Sequence, residues 1–149
     1  MTSFLGIATT LCIGLMIGTE FAVSAFINPV LEKLDNRTRV GIIRLFAAKL
    51  GFAMPFWYCL GLLLLVAEAI IFRHGPQLPL LISAAGLWAA IIVLTLLFLV
   101  PINNRMMRLS PDTASGDDLR EHKKWDSMHR IRVIALTGAM TLFLIAIHV

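Results

Sequence analysis

Four long apolar stretches dominate this chain of 149 residues. They run roughly over residues 4–27, 50–72, 78–100 and 131–149, and a helix needs about 20 apolar residues to cross the hydrocarbon core of a bilayer. Charged residues make up only 15% of the chain, against about 25% in soluble domains. The chain therefore has too little polar surface for a water-soluble fold of this size, and we predict that lipid surrounds it.

Short connections join these stretches, and short connections favour antiparallel neighbouring helices. We predict an all-α polytopic membrane protein with one domain over residues 1–149, an antiparallel bundle of four transmembrane helices at about 4–31, 42–72, 78–107 and 118–148. Asp117 and Asp118 suit the start of the fourth helix, because acidic side chains cap a helix N-terminus and complement its dipole. Pro55 inside the second helix should bend it.

The basic residues predict the orientation in the membrane. Twelve of the thirteen lysines and arginines flank the first and third connections, whereas the second connection holds only Arg73. Cytoplasmic connections carry the excess of basic residues in membrane proteins. We therefore expect a multi-pass protein of a cell (inner) membrane with both termini on the non-cytoplasmic side, and we expect its basic residues to meet lipid headgroups rather than nucleic acid.

Glu20 is the sharpest single residue, because it lies inside the first apolar stretch. A carboxylate there must be protonated, paired or in a wet cavity, since its desolvation is costly. It shares a helix face with Ser24 and Asn28, roughly opposite a ridge of small residues at Gly14 and Gly18. The acid is either part of a pocket wall or one interhelical hydrogen bond. The ridge suits close helix contact, within the chain or in a homo-oligomer through the Gly14/Gly18 face.

Further polar residues cluster where the third and fourth helices should meet. In an antiparallel bundle, the end of helix three, the start of helix four and the end of helix one lie at one level. We predict a pocket there, open to the cytoplasmic side, with catalytic candidates His129, Arg132 and Glu20 and substrate-binding candidates Asn28, Asn103, Asn104 and Trp125. Tryptophan and arginine are also ordinary interface anchors, so a structural role stays open for each.

The residue types give no sign of a metal or cofactor site. One histidine with one distant acid is a poor ligand set. Cys12 and Cys59 lack metal-ligand spacing and are interpreted as buried apolar residues. We predict no cofactor, and the sequence leaves haem or a metal open.

Two short motifs carry a family resemblance. The end of helix three reads Pro101-Ile102-Asn103-Asn104, and helix four opens with Trp125-x3-His129-Arg130. With Asn28-Pro29 at the end of helix one, the chain resembles the anthrone-oxygenase-like family of small integral membrane proteins, domain of unknown function 1772. That family includes proteins that oxidise anthrones to anthraquinones with dioxygen.

The resemblance implies roles for four of the candidates. His129 would act as a base, Arg132 and Asn104 would stabilise an enolate, and Trp125 would stack on an aromatic ring. The first hypothesis is accordingly an oxidoreductase acting on a lipophilic aromatic or quinone-like molecule. The alternatives are a small-molecule or ion binding or transport protein, in which Glu20 holds a proton or cation, and an accessory subunit of a membrane complex.

Overall fold

The computed structural model describes residues 4–110 and 116–149, with the side chains of 116–119 left aside. Four helical spans run through them, which confirms the all-α membrane class. The first span joins Phe4–Ala22, a π-helical segment Val23–Ile27 and Asn28–Leu31; the second is Asn36–Ile71; the third joins Leu78–Leu94, a π-helical segment Thr95–Leu99 and Val100–Arg108; the fourth is Gly116–Ala146. All four are long and apolar enough to cross a membrane.

The second span begins at Asn36, earlier than the predicted boundary near residue 42. Asp35 caps it, because its side chain accepts a hydrogen bond from the Thr38 backbone N–H at 3.1 Å. A capped N-terminus lets the helix extend beyond its apolar part towards the basic residues. The fourth span likewise begins at Gly116, close to the predicted start at 118, whereas the side chains of Asp117 and Asp118 lie outside the described set.

Both π-helical segments end next to a proline. Pro29 follows Val23–Ile27 and Pro101 follows Thr95–Leu99, each at the start of the next α-helical piece. Proline has no N–H to donate to the carbonyl four residues earlier, and a wider helical turn is one way to absorb that loss. The second span, in contrast, stays α-helical through Pro55. The bend predicted from the sequence concerns Pro55 alone, and the two π-helical segments lie at other positions.

The core lies where the spans meet in the half of the bundle away from the Asn36 end. Trp88, Leu136 and Phe143 are fully buried there, whereas many other large apolar side chains face outwards. Such an apolar exterior is expected where lipid replaces water as the solvent. Cys59 also faces outwards, so the expectation that both cysteines are buried was wrong.

The Gly14/Gly18 ridge is divided between two environments. A side chain at Gly14 would meet Met140 of the fourth span at 3.5 Å, whereas Gly18 has open space around it. Gly14 therefore serves packing inside the chain, and only Gly18 is left on the outer surface.

Candidate functional site

A cluster of charged and polar side chains joins three of the four spans. Glu20 of the first span is 3% exposed and accepts hydrogen bonds from Tyr58 Oη on the second span, at 3.1 Å, and from Arg132 Nη2 on the fourth, at 2.5 Å. The Arg132 guanidinium also lies 5.6 Å from the centre of the Tyr58 ring. The buried carboxylate thus has both an opposite charge and a neutral donor, which is what a stable charge in an apolar interior requires.

His129 completes the cluster, and its contacts determine where its hydrogen lies. Its Nε2 is 3.1 Å from the backbone carbonyl oxygen of Glu20, which can only accept, so Nε2 carries the hydrogen. Nδ1 then accepts from Arg132 Nη2 at 2.8 Å. Nδ1 also lies 3.1 Å from Glu20 Oε2. Arg132 Nη2 therefore donates to both of these neighbouring acceptors, Glu20 Oε2 and His129 Nδ1.

Beside this cluster lies a cavity of about 480 Å³. Its wall is mostly apolar side chains from the second and third spans, and the polar cluster lies on one side. Six of the seven predicted site residues line it: Glu20, Asn103, Asn104, Trp125, His129 and Arg132. A volume of this size and a mostly apolar wall with few polar groups are typical of sites for small lipophilic ligands.

Asn28 is the predicted site residue that does not line this cavity. Its Nδ2 donates to Asp126 Oδ1, and Asp126 in turn pairs with Arg130 at 2.8 Å. Asn28 borders only a smaller neighbouring cavity of about 50 Å³. Its buried amide links the first span to the fourth, because an amide in an apolar interior requires a partner. Asn28 thus has a structural contact, and its predicted contact with a substrate stays a prediction.

Trp125 is stacked between two histidines. Its ring lies 4.7 Å from that of His129 at an interplanar angle of 10°, and 5.9 Å from that of His122 at 21°. These three residues follow one another along one face of the fourth span. Trp125 is half-buried and borders the cavity, and its stacking on a substrate ring stays a prediction.

The two adjacent asparagines differ in their surroundings. Asn103 Nδ2 donates to the backbone carbonyl of Ala47 at 3.3 Å and so ties the third span to the second. Asn104 is exposed and borders the cavity, and no hydrogen bond joins its side chain to another described residue. Only Asn104 therefore keeps a free amide for a ligand.

Tyr58 is the cluster residue that sequence reasoning missed. It is the one tyrosine in the chain and lies within an apolar stretch. A buried phenol needs a hydrogen-bond partner, so the isolated hydroxyl was an available signal. Its pairing with Glu20 could not be read from spacing, because the two residues belong to different helices.

Within the part of the chain that the structure describes, no three histidine, cysteine, aspartate or glutamate side chains lie close enough together to hold a metal ion.

A family model described as anthrone oxygenase matches residues 43–142. No curated protein and no solved structure matches the chain.

Proposed function

We propose that this chain, which belongs to the anthrone oxygenase family, is a membrane-embedded oxidoreductase that acts on a lipophilic aromatic ketone or phenol. Membership confirms the resemblance drawn from the motifs at Pro101–Asn104 and Trp125–His129, both inside the matched region. The observation that carries the proposal is a buried pair of opposite charges, Glu20 and Arg132, in the wall of a largely apolar cavity of about 480 Å³.

Arg132 would bind the oxygen of the substrate. Both of its contacts to the cluster come from Nη2, and among the described residues none bonds Nη1. Its side chain borders the cavity and is 10% exposed. A fixed guanidinium in a site with little water stabilises an oxyanion that forms there. Asn104, with a free amide on the same cavity, would be a second donor to the substrate.

Glu20 and His129 would together accept a proton. Both ring nitrogens of His129 have partners within the cluster, so we place the substrate contact on Glu20 and treat His129 as a positioning residue. A proton taken up on Glu20 Oε2 would replace Arg132 as the donor to His129 Nδ1, which lies 3.1 Å away. Tyr58 would hold the other carboxylate oxygen through its hydroxyl.

With anthrone as substrate, the reaction would run in two stages. Breaking a methylene C–H bond sends the proton to Glu20 and leaves the electron pair in an enolate whose oxygen Arg132 stabilises. Dioxygen, the second substrate, then forms a C–O bond with the enolate carbon and receives the proton from Glu20, which gives a hydroperoxide. Loss of water from it leaves the second carbonyl, so one O₂ is consumed and one H₂O is released for each anthraquinone formed.

The test is turnover of anthrone by the purified protein in lipid nanodiscs, followed as anthraquinone formation and oxygen uptake. Loss of proton transfer or of oxyanion stabilisation typically costs about a hundredfold or more in rate, so we expect that loss in Glu20→Gln and in Arg132→Met. Arg105→Met is the matched control, because Arg105 pairs with Glu121 at an exposed position and does not border the cavity. Turnover no faster than in empty nanodiscs would refute the proposal, and retention of anthrone without turnover would favour the binding-protein alternative.

We also propose that the protein lies in a cell (inner) membrane with both termini on the non-cytoplasmic side. The excess of basic residues near the first and third connections supports this orientation. A reporter enzyme that works only outside the cytoplasm should be active when it is fused to the C-terminus. A reporter enzyme that works only in the cytoplasm should be inactive there. Activity of the cytoplasmic reporter at that position would reverse the orientation.

A further inference from the structure

Two hydrogen-bonded contacts hold the second and third spans together, one on each side of the cavity. At the Arg108 end, Asn103 donates to Ala47 O and packs so tightly that a Cβ at Gly51 would come within 2.8 Å of its amide nitrogen. At the other end, Trp88 Nε1 donates to Tyr58 O at 3.0 Å, and Gly61 lies directly against the indole.

Between these contacts the two spans have unequal lengths. Tyr58 lies eleven positions after Ala47, and Asn103 lies fifteen positions after Trp88. At 1.5 Å per residue these are roughly 16 Å and roughly 22 Å. The third span therefore places four more residues between the two contacts than the second.

The π-helical segment Thr95–Leu99 lies in this longer stretch, opposite Pro55. The second span packs closely on the pieces Leu78–Leu94 and Val100–Arg108 but not on the π-helical segment between them. The gap is bordered by exposed side chains that are also part of the cavity wall, among them Phe52, Pro55 and Leu96. We call this gap, between residues 51–58 and 92–99, the lateral window.

We infer that the lateral window is the entrance through which a lipophilic planar molecule dissolved in the bilayer reaches the cavity. The window lies among apolar residues inside two membrane spans, so lipid faces it from outside. A molecule passing through it meets apolar side chains first and the Arg132–Glu20 pair last. Its apolar rings therefore stay out of water along the whole route, and only its oxygen comes to lie beside a polar group.

The inference deepens the proposed function by naming the route to the same site, and it rests on that function only for the kind of ligand. Its test needs no turnover. The protein in nanodiscs is loaded with anthraquinone through the lipid, deuterated anthraquinone is then added, and native mass spectra follow the exchange of one for the other.

Leu96→Trp places an indole at the window, whereas Leu97→Trp makes the same change at the neighbouring position, which is 62% exposed and does not border the cavity. We expect exchange to slow about tenfold in Leu96→Trp, which corresponds to about 1.4 kcal/mol of added barrier, and to stay unchanged in Leu97→Trp. Final occupancy should match the wild type in both, which shows that each variant has folded.

A third variant tests entry from the aqueous end. Met107→Trp narrows the cavity near the end of the third span, beyond the contact at Asn103. Slow exchange in Met107→Trp together with normal exchange in Leu96→Trp would overturn the inference and assign entry to that end. Failure of the wild type to take up anthraquinone from the bilayer would overturn it as well. Normal anthrone turnover with exchange that is insensitive to Leu96→Trp would leave the proposed function standing without this entrance.

Discussion

Removing the positive charge from the buried pair tests the site most directly. In Arg132→Met, the Glu20 carboxylate would keep its hydrogen bond from the Tyr58 hydroxyl. It would lose Arg132, the one arginine or lysine that contacts it among the described residues. Both partners are largely buried, at 3% and 10% exposure. Breaking a buried pair by removing one partner typically costs about 3–5 kcal/mol, because it leaves an uncompensated charge in an apolar interior. We expect a loss of that size in the free energy of unfolding.

A double variant separates the cost of the unpaired charge from the value of the pair. In Glu20→Gln with Arg132→Met no charge remains, and the amide of Gln can replace the lost contacts. Its oxygen can accept from Tyr58, and its nitrogen can donate to His129 Nδ1 across the 3.1 Å that now separates Nδ1 from Oε2. Replacing both members of a buried pair by neutral groups is often close to neutral, so we expect the double variant within about 1 kcal/mol of the wild type.

The assay is reversible unfolding by sodium dodecyl sulfate in mixed micelles, read by far-ultraviolet circular dichroism and evaluated as a double-mutant cycle. Arg105→Met, which removes an arginine from the exposed pair with Glu121, is the control and should have little effect. An Arg132→Met variant as stable as the control would refute the reasoning, as would a double variant that loses the sum of the two single losses.

Three further predictions concern single positions. Thr95→Val should leave the protein as stable as the wild type or stabilise it by about 1–3 kcal/mol, because the buried Thr95 hydroxyl has no hydrogen-bond partner among the described residues; a loss in the same unfolding assay would reveal a hidden partner. Gly61→Ala should destabilise by about 1–3 kcal/mol, because its Cβ would lie 2.7 Å from the Trp88 ring, whereas Gly86→Ala, with open space around it, should stabilise slightly and serves as its control. Hydrogen bonds from the Thr38 side chain and backbone lower the pKa of Asp35 in the folded protein. The cap therefore stabilises the fold fully above the pKa of the unfolded state, about 3.9. This stabilisation is lost as the pH falls through the lower pKa of the folded state. Asp35→Asn keeps a capping side chain without the charge, so amide hydrogen exchange at the start of the second span should lose this acid sensitivity, and an unchanged pH profile would contradict the assignment.

The sequence alone determined the parts of this protein that follow from its solvent. Four apolar stretches and scarce charge are enough to predict four membrane spans, because hydrocarbon tolerates only helices or closed barrels. Because polar residues are scarce in these stretches and polar groups in lipid need partners, Glu20, His129 and Arg132 stood out as candidate site residues. Antiparallel order then brought Asn103 and Asn104 to the same end of the bundle. Each of these residues does border the cavity.

Only the tertiary structure decided which polar group pairs with which. Asn28 lies at the predicted level but bonds Asp126, and Asn103 bonds Ala47 O, while Tyr58, which no motif contained, bonds Glu20. Helical periodicity gives the face and depth of a residue on its own helix. It does not give the rotation of one helix against another, which packing across the whole bundle fixes. The lateral window likewise depends on how two helices pack, because the second span contacts the two α-helical pieces of the third but not the π-helical segment between them, a relation that neither stretch of sequence contains by itself.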